Sequence, residues 1–289
     1  MNFFAKGKSA ALAAILALAL PYLASAAGTP VAMVTDLKGK GSSAGAPLSL
    51  LAQVDSGAKI KLENGASLTL VYLSSGKEFL FKGPAEVTIG PDAASSAGGA
   101  QAQTRTLLAA AGGDGLNIKP AGMAQASVVM RAASSKAKEK GLALLSPVDT
   151  KVLQARPEFI WKPVGSDVSY RFELLDKAGN SLYRTTAKQT SLSLPATVTL
   201  PEGQSLNWEV EAVVGARTYY NSAEFTVLPA SERDTVEKLR PAANADFAKR
   251  VFFASLLDSQ GIYSDATVLW KQLSTERPDD AKLKELASR

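Results

Sequence analysis

The 289-residue chain contains neither a cysteine nor a histidine. Without thiol or imidazole it cannot build a Ser-His-Asp triad, a cysteine nucleophile, a His- or Cys-ligated zinc site or a disulfide. It also lacks a D-x-D-x-D-G loop for calcium and a glycine-rich loop leading into a helix for phosphate, so no cofactor or metal is expected. Charge of one sign is scarce. The formal net charge is +5, and losing Lys6 and Lys8 with a leader segment takes it to +3, too weak to argue for nucleic acid.

Long apolar runs are missing as well. The longest, residues 10–20, is an eleven-residue stretch of Ala, Leu and Ile, well short of the roughly 20 needed to span a bilayer. It follows a lysine-bearing segment and precedes Ala24-Ser25-Ala26, the order of a secretory signal peptide cleaved after Ala26. The expected mature protein is therefore exported, periplasmic and without a membrane span. With no disulfide to staple it, it must be held together by burial, which its 46 % hydrophobic content allows. Its length predicts about two or three domains.

Residues 31–89 read as short strands. Segments 31–37, 59–62, 67–73, 78–81 and 86–89 are separated by Asn64-Gly65, Ser75-Gly76 and Gly83-Pro84, all turn signals. Period-two alternation predicts one buried and one wet face, hence a small antiparallel sheet. Residues 91–115, dominated by Gly, Ala and Ser, read as a flexible insertion. Segments 116–118 and 126–130 can return strands, and 131–143 is a charged linker. Residues 144–228 hold six further β runs at regular spacing, which predicts a β-sandwich with Trp161 and Trp208 between its sheets.

From residue 229 the period changes to 3.6. Ser231 is positioned to cap a short helix that Pro241 ends. Ala245, Ala248, Phe252 and Leu256, then Ala266, Leu269, Trp270 and Leu273, fall at spacings of three and four on either side of Ser259-Gln260-Gly261, predicting a helical hairpin. Acids and bases balance at ten each over residues 229–289, so no phosphate-docking stripe is expected there.

Three resemblances follow from these residues. VTDLKGK, the Leu-rich stretch 50–60 with Gly57, NGASLTLVY and EVTIG resemble a FecR-type periplasmic β module over residues 31–130, although Ala58 stands where that family usually has an acid. SPVDT, RPEFIWKPV, YRFELLDKAGN and LPEGQSLNWEVEAV are similar to fibronectin type III or immunoglobulin-like domains, and the lack of cysteine suits the fibronectin kind. Ala254, Gly261, Tyr263, Ala266, Trp270, Leu273 and Pro278 resemble one tetratricopeptide repeat. One repeat cannot stand alone, so this helical pair must pack on the sandwich or complete a partner. The FecR resemblance implies a setting in envelope signalling or assembly.

Candidate chemistry is thin. Ser74 and Ser135 each begin an S-x-x-K spacing, but the companion motifs of the serine enzymes that use it are absent. Carboxylate pairs offer a second route, because two acids in different environments can divide into donor and base. The candidates are Glu209 with Glu211, Glu173 with Asp176, and Asp279-Asp280. Alternation puts Glu209 and Glu211 on the wet face opposite Trp208 and Val210, and Asp279-Asp280 after Pro278 suits a helix cap. No catalytic residue is assigned. Tyr219-Tyr220 sit at a hairpin, where one ring should be exposed beside Arg217, a pairing enriched in binding hot spots. Phe252 and Phe253 cannot both face the helical seam; either Phe253 is offered to a partner or it packs on the sandwich.

The reading is a mainly β multidomain protein: a FecR-like module, a fibronectin- or Ig-like sandwich over 144–228 and a helical hairpin over 229–289. Its expected role is non-enzymatic binding of an envelope protein or peptide through Arg217, Tyr219, Tyr220 and Phe253. The alternative is a carbohydrate- or peptidoglycan-directed accessory protein, or a carboxylate-based glycan hydrolase.

Overall fold

The computed structural model describes residues 30–97, 103–106, 141–242 and 244–289. The expected leader over 1–26, the strands at 116–118 and 126–130 and the linker residues 131–140 lie outside the described residues.

The described chain is mainly β, in several antiparallel sheets, with helices toward its C-terminal side. The first strands are β1 (Pro30–Lys38), β2 (Gly41–Ser43), β3 (Ala46–Pro47), β4 (Gln53–Asp55), β5 (Lys59–Leu62), β6 (Ser67–Tyr72), β7 (Lys77–Lys82), β8 (Ala85–Ile89), β9 (Ala94–Ala97) and β10 (Gln103–Thr106). They form two five-stranded sheets, ordered β10-β7-β6-β1-β4 and β3-β2-β5-β8-β9. The single small sheet expected is thus two layers. Leu68, Leu70, Phe79 and Phe81 from the first meet Ile60, Leu62, Val87 and Ile89 from the second in one apolar core. The connection at Gly83 is confined to glycine, because a Cβ there would lie 2.0 Å from the Glu63 carbonyl oxygen.

The Gly/Ala/Ser-rich stretch is not the flexible insertion its composition predicts throughout. Its residues 94–97 pair with β8 and 103–106 pair with β7. Small side chains bury little, but a neighbouring strand edge satisfies their backbone groups, and composition carries no record of that partner.

The second set is β11 (Leu144–Ser146), β12 (Thr150–Val152), β13 (Glu158–Trp161), β14 (Tyr170–Leu175), β15 (Ser181–Ala187), β16 (Ser191–Ser193), β17 (Ser205–Val214) and β18 (Arg217–Val227). Sheets β11-β13-β16 and β12-β18-β17-β14-β15 enclose a second core. Trp161 enters it from one sheet and Trp208 from the other, as expected. Phe159 meets Trp208 edge-on at 5.2 Å between ring centroids, the geometry that the ring quadrupoles favour.

Four helices follow: α1 (Ala230–Lys238), α2 (Phe247–Ser259), α3 (Tyr263–Glu276) and α4 (Ala281–Ala287). Ser231 does not cap α1; Pro229 stands at that boundary, and Glu202 from before β17 accepts the Ala230 N–H at 2.8 Å. Asp280 caps α4 as expected, accepting from Lys282 N and Leu283 N. Between α2 and α3, Gly261 adopts φ +79°, a conformation that side-chain-bearing residues rarely hold.

A third core joins everything. Met33 of β1, Val71 of β6 and Leu73 contribute from the first β unit, Leu153 and Leu228 from the second, and Val251, Phe252, Phe253, Leu257 and Trp270 from the helices. Trp270 is 1 % exposed. The helical hairpin is therefore wedged against both β units as an internal buttress. Phe253, also 1 % exposed, faces inward beside Phe252. Neither phenylalanine is offered outward, because α2 is covered nearly all round. Ala254 and Ala266 are fully buried, which lets α2 and α3 approach closely.

Candidate functional site

The outer face of the β12-β18-β17-β14-β15 sheet gathers six polar and charged side chains around one depression. Along β17, Leu206, Trp208, Val210 and Ala212 point into the core, so Asn207, Glu209 and Glu211 point away from it. Pairing register then fixes their neighbours. Glu209 lies opposite Glu173 of β14, which in turn lies opposite Arg184 of β15. One row along, Glu211 lies between Arg171 of β14 and Tyr220 of β18. These six side chains line a shallow depression of about 270 Å³.

The charges are matched in pairs. Arg171 Nη2 donates to Glu211 Oε1 at 2.5 Å, and Arg184 Nη2 donates to Glu173 Oε1 at 2.6 Å. The Arg184 hydrogen bond, with one from Ser181, holds the Glu173 carboxyl below the usual carboxylate range. Glu209 accepts from Asn207 Nδ2 at 3.3 Å and bonds the Tyr220 hydroxyl. Partial burial first, and then the contact with Glu209, pushes the Tyr220 phenol up. The result is a fixed lattice of donors and acceptors rather than a loose acidic patch.

Chemically this lattice is suited to holding a polar ligand. Proton-transfer catalysis by two carboxyls needs their environments pushed apart, with one raised toward neutrality. Glu173 moves the other way, and Glu211 is occupied by a guanidinium.

The other expected residues are placed as follows. Asp176 is outside the depression: its carboxylate accepts from Ala178 N and Asn180 N at 2.8 Å, organising the β14–β15 turn, and the Asn180 contacts lower it. Arg217 and Tyr219 share the opposite face of β18 from Tyr220. Tyr219 packs on the second core. Arg217 therefore stands at the hairpin tip on the face of Tyr219 rather than that of Tyr220, and both tyrosines are half-buried. Ser74 lies in the β6–β7 turn, as its surroundings predict, and Ser135 is outside the described residues. Arg171 and Arg184 are the members of this candidate site that sequence reasoning missed. Each alternates correctly on its own strand, but only register shows that they face Glu211 and Glu173.

A second depression, of about 280 Å³, lies between Leu50, Leu51 and Met33 on one side and Asp258, Lys282 and Arg289 on the other. Lys282 and Arg289 both pair with Glu285, at 2.8 and 2.6 Å, so its rim is charge-balanced. Among the described residues no group of three or more acids is arranged to hold a metal ion, and no helix is long and apolar enough to cross a membrane.

Comparison with known proteins adds little to this geometry. No family model matches the chain, and no curated protein matches it. Among solved structures, CopC from Methylosinus trichosporium OB3b is similar over 31 % of this chain and 95 % of its own, at 21 % identity and a TM-score of 0.24. A likeness that slight carries no argument about architecture or function.

Proposed function

We propose that this is an exported, periplasmic, non-enzymatic binding protein that holds an envelope protein or peptide against the outer face of its second β unit. In this reading the first unit is a FecR-like module, the second a fibronectin-like sandwich, and the helices a tetratricopeptide-like hairpin used as an internal strut. The observation that carries the reading is the ordered array of Arg171, Glu173, Arg184, Glu209, Glu211 and Tyr220 on a rigid sheet. Tyr and Arg are the side chains that most often anchor protein contacts, and charges already fixed in place lose little freedom on binding.

Export rests on the leader pattern of residues 1–26, and the weak net charge argues against nucleic acid. With the helices packed between the β units, the sheet face, rather than a helical groove, is the surface for a partner.

The test is capture from envelope extract by the leaderless protein, run beside the same protein carrying Arg171→Ala, Arg184→Ala and Tyr220→Ala together. A protein retained by the first and lost by the second supports the proposal. Sedimentation with purified peptidoglycan, unaffected by added envelope protein, would favour a wall-directed role instead.

A further inference from the structure

Alternation along β7 sends Phe79 and Phe81 into the core between the first two sheets, so Glu78 points the other way, toward the helical layer. It is only 4 % exposed, and its Oε2 has no hydrogen-bond partner among the described residues. Arg105 faces it from β10, Lys249 from α2, Asp246 from the N-terminal boundary of α2, and Asp36 from β1. Three of those neighbours are engaged away from Glu78. Arg105 donates to Asp246 at 2.7 Å, and Arg277 of the helical layer grips Asp36 at 2.5 and 3.1 Å. Glu78 is thus a carboxyl enclosed at a seam between layers, beside an ion pair that does not include it.

We infer that Glu78 makes docking of the helical layer on the β10-β7-β6-β1-β4 sheet proton-dependent, the seam closing most firmly over the neutral carboxyl and loosening as the carboxylate forms. The physical reason is desolvation: a buried carboxylate with an unpaired oxygen loses hydration that no partner replaces, whereas the protonated acid loses far less. Burial accordingly raises the Glu78 carboxyl above its ordinary range, and Arg105 and Lys249 offset only part of that rise. With the docked value above the undocked one, docking takes up a proton. The firm state is complete below the ordinary glutamate range near 4.5 and is lost as pH climbs through the raised value. Above that value the dependence flattens.

The experiment is amide hydrogen exchange of α2 between pH 4.5 and 8, corrected for the intrinsic pH dependence of exchange, on the protein and on Glu78→Gln. In the unmodified protein, opening of α2 should rise with pH by up to about tenfold per unit within the window. Glu78→Gln keeps the shape without the charge; it should flatten that rise and exchange several-fold more slowly at pH 8. Parallel profiles, or faster exchange of Glu78→Gln at pH 8, would overturn the inference. If Glu78→Gln does not fold, Arg105→Gln decides the matter: removing that cation should carry the window to higher pH, and an unmoved window overturns the inference equally.

Discussion

The hydroxyl oxygen of Thr150, in β12, accepts the backbone N–H of Tyr263 at 2.9 Å and that of Ser264 at 3.3 Å. A strand residue of the second β unit therefore caps a helix that lies 113 residues further along the chain. The adjacent Lys151 N–H donates to the Gly261 carbonyl at 2.8 Å, so the same two-residue segment also fixes the turn before α3. Helix starts leave N–H groups without partners, and one enclosed at a seam is costly to strand.

Thr150→Val should consequently cost about 1–2 kcal/mol, the usual penalty for losing a helix cap, with little change in overall burial. Thr150→Ser should recover most of it, because the oxygen is retained. Urea unfolding of the three proteins checks this; equal midpoints for Val and Thr would show that the bond contributes nothing.

Trp270 and Phe253 divide structural from functional aromatics. Both are fully enclosed in the core shared by helices and sheets, so Trp270→Ala or Phe253→Ala should each destabilise by roughly 3–5 kcal/mol. Trp270 also donates its indole N–H to Asp258 at 2.8 Å, so Trp270→Phe should lose more than volume alone explains. Tyr220→Ala, on the outer sheet face, should destabilise by little more than about 0.5 kcal/mol. Thermal unfolding of the four variants separates these classes.

What the sequence disclosed and withheld follows from how local each cause is. The strand at residues 59–62 shows in its alternation, Trp161 and Trp208 are core by size and period, and Asp280 is a cap that reaches only two and three residues ahead. Thr150 as a cap, Glu202 as the acceptor for Ala230 and the pairing of residues 94–97 with β8 depend on segments distant in sequence, and no local pattern marks them. The site divides in the same way. Glu209, Glu211 and Tyr220 are visible as surface residues of a hairpin, whereas Arg171 and Arg184 join them only through register. Phe253 shows the converse: an apolar residue that helical spacing places off the seam is still enclosed when a sheet covers the other side.

Tyr72 gives a test at alkaline pH. Its hydroxyl donates to the Gly90 carbonyl at 3.0 Å, and burial pushes the phenol up from 10.0 to about 12. The folded state thus retains a proton that the unfolded chain releases, so stability should be steady below pH 10 and fall by up to about tenfold in the folding equilibrium per unit between 10 and 12. Tyr72→Phe should remove that contribution to the slope. Denaturant titrations across this range report it, and superimposable slopes would show that Tyr72 is not the group responsible.

The paired charges on the sheet face should matter for binding more than for folding. Arg171→Ala with Arg184→Ala leaves the core of the second unit intact, because both side chains point outward, and exposed ion pairs stabilise folds only slightly. The double variant should unfold close to the unmodified protein yet bind a captured partner at least about tenfold more weakly, as loss of anchoring arginines does elsewhere. Calorimetric binding beside thermal unfolding distinguishes the two effects.

The most direct measurement of all sets retention against turnover. Leaderless protein is incubated with envelope extract and with purified glycan, beside the Arg171, Arg184 and Tyr220 alanine variant and the Glu209→Gln and Glu211→Gln variants. A protein component held by the unmodified chain and released by the alanine variant, with the glycan left intact throughout, is the predicted result. Glycan cleavage that vanishes in Glu209→Gln or Glu211→Gln would contradict it.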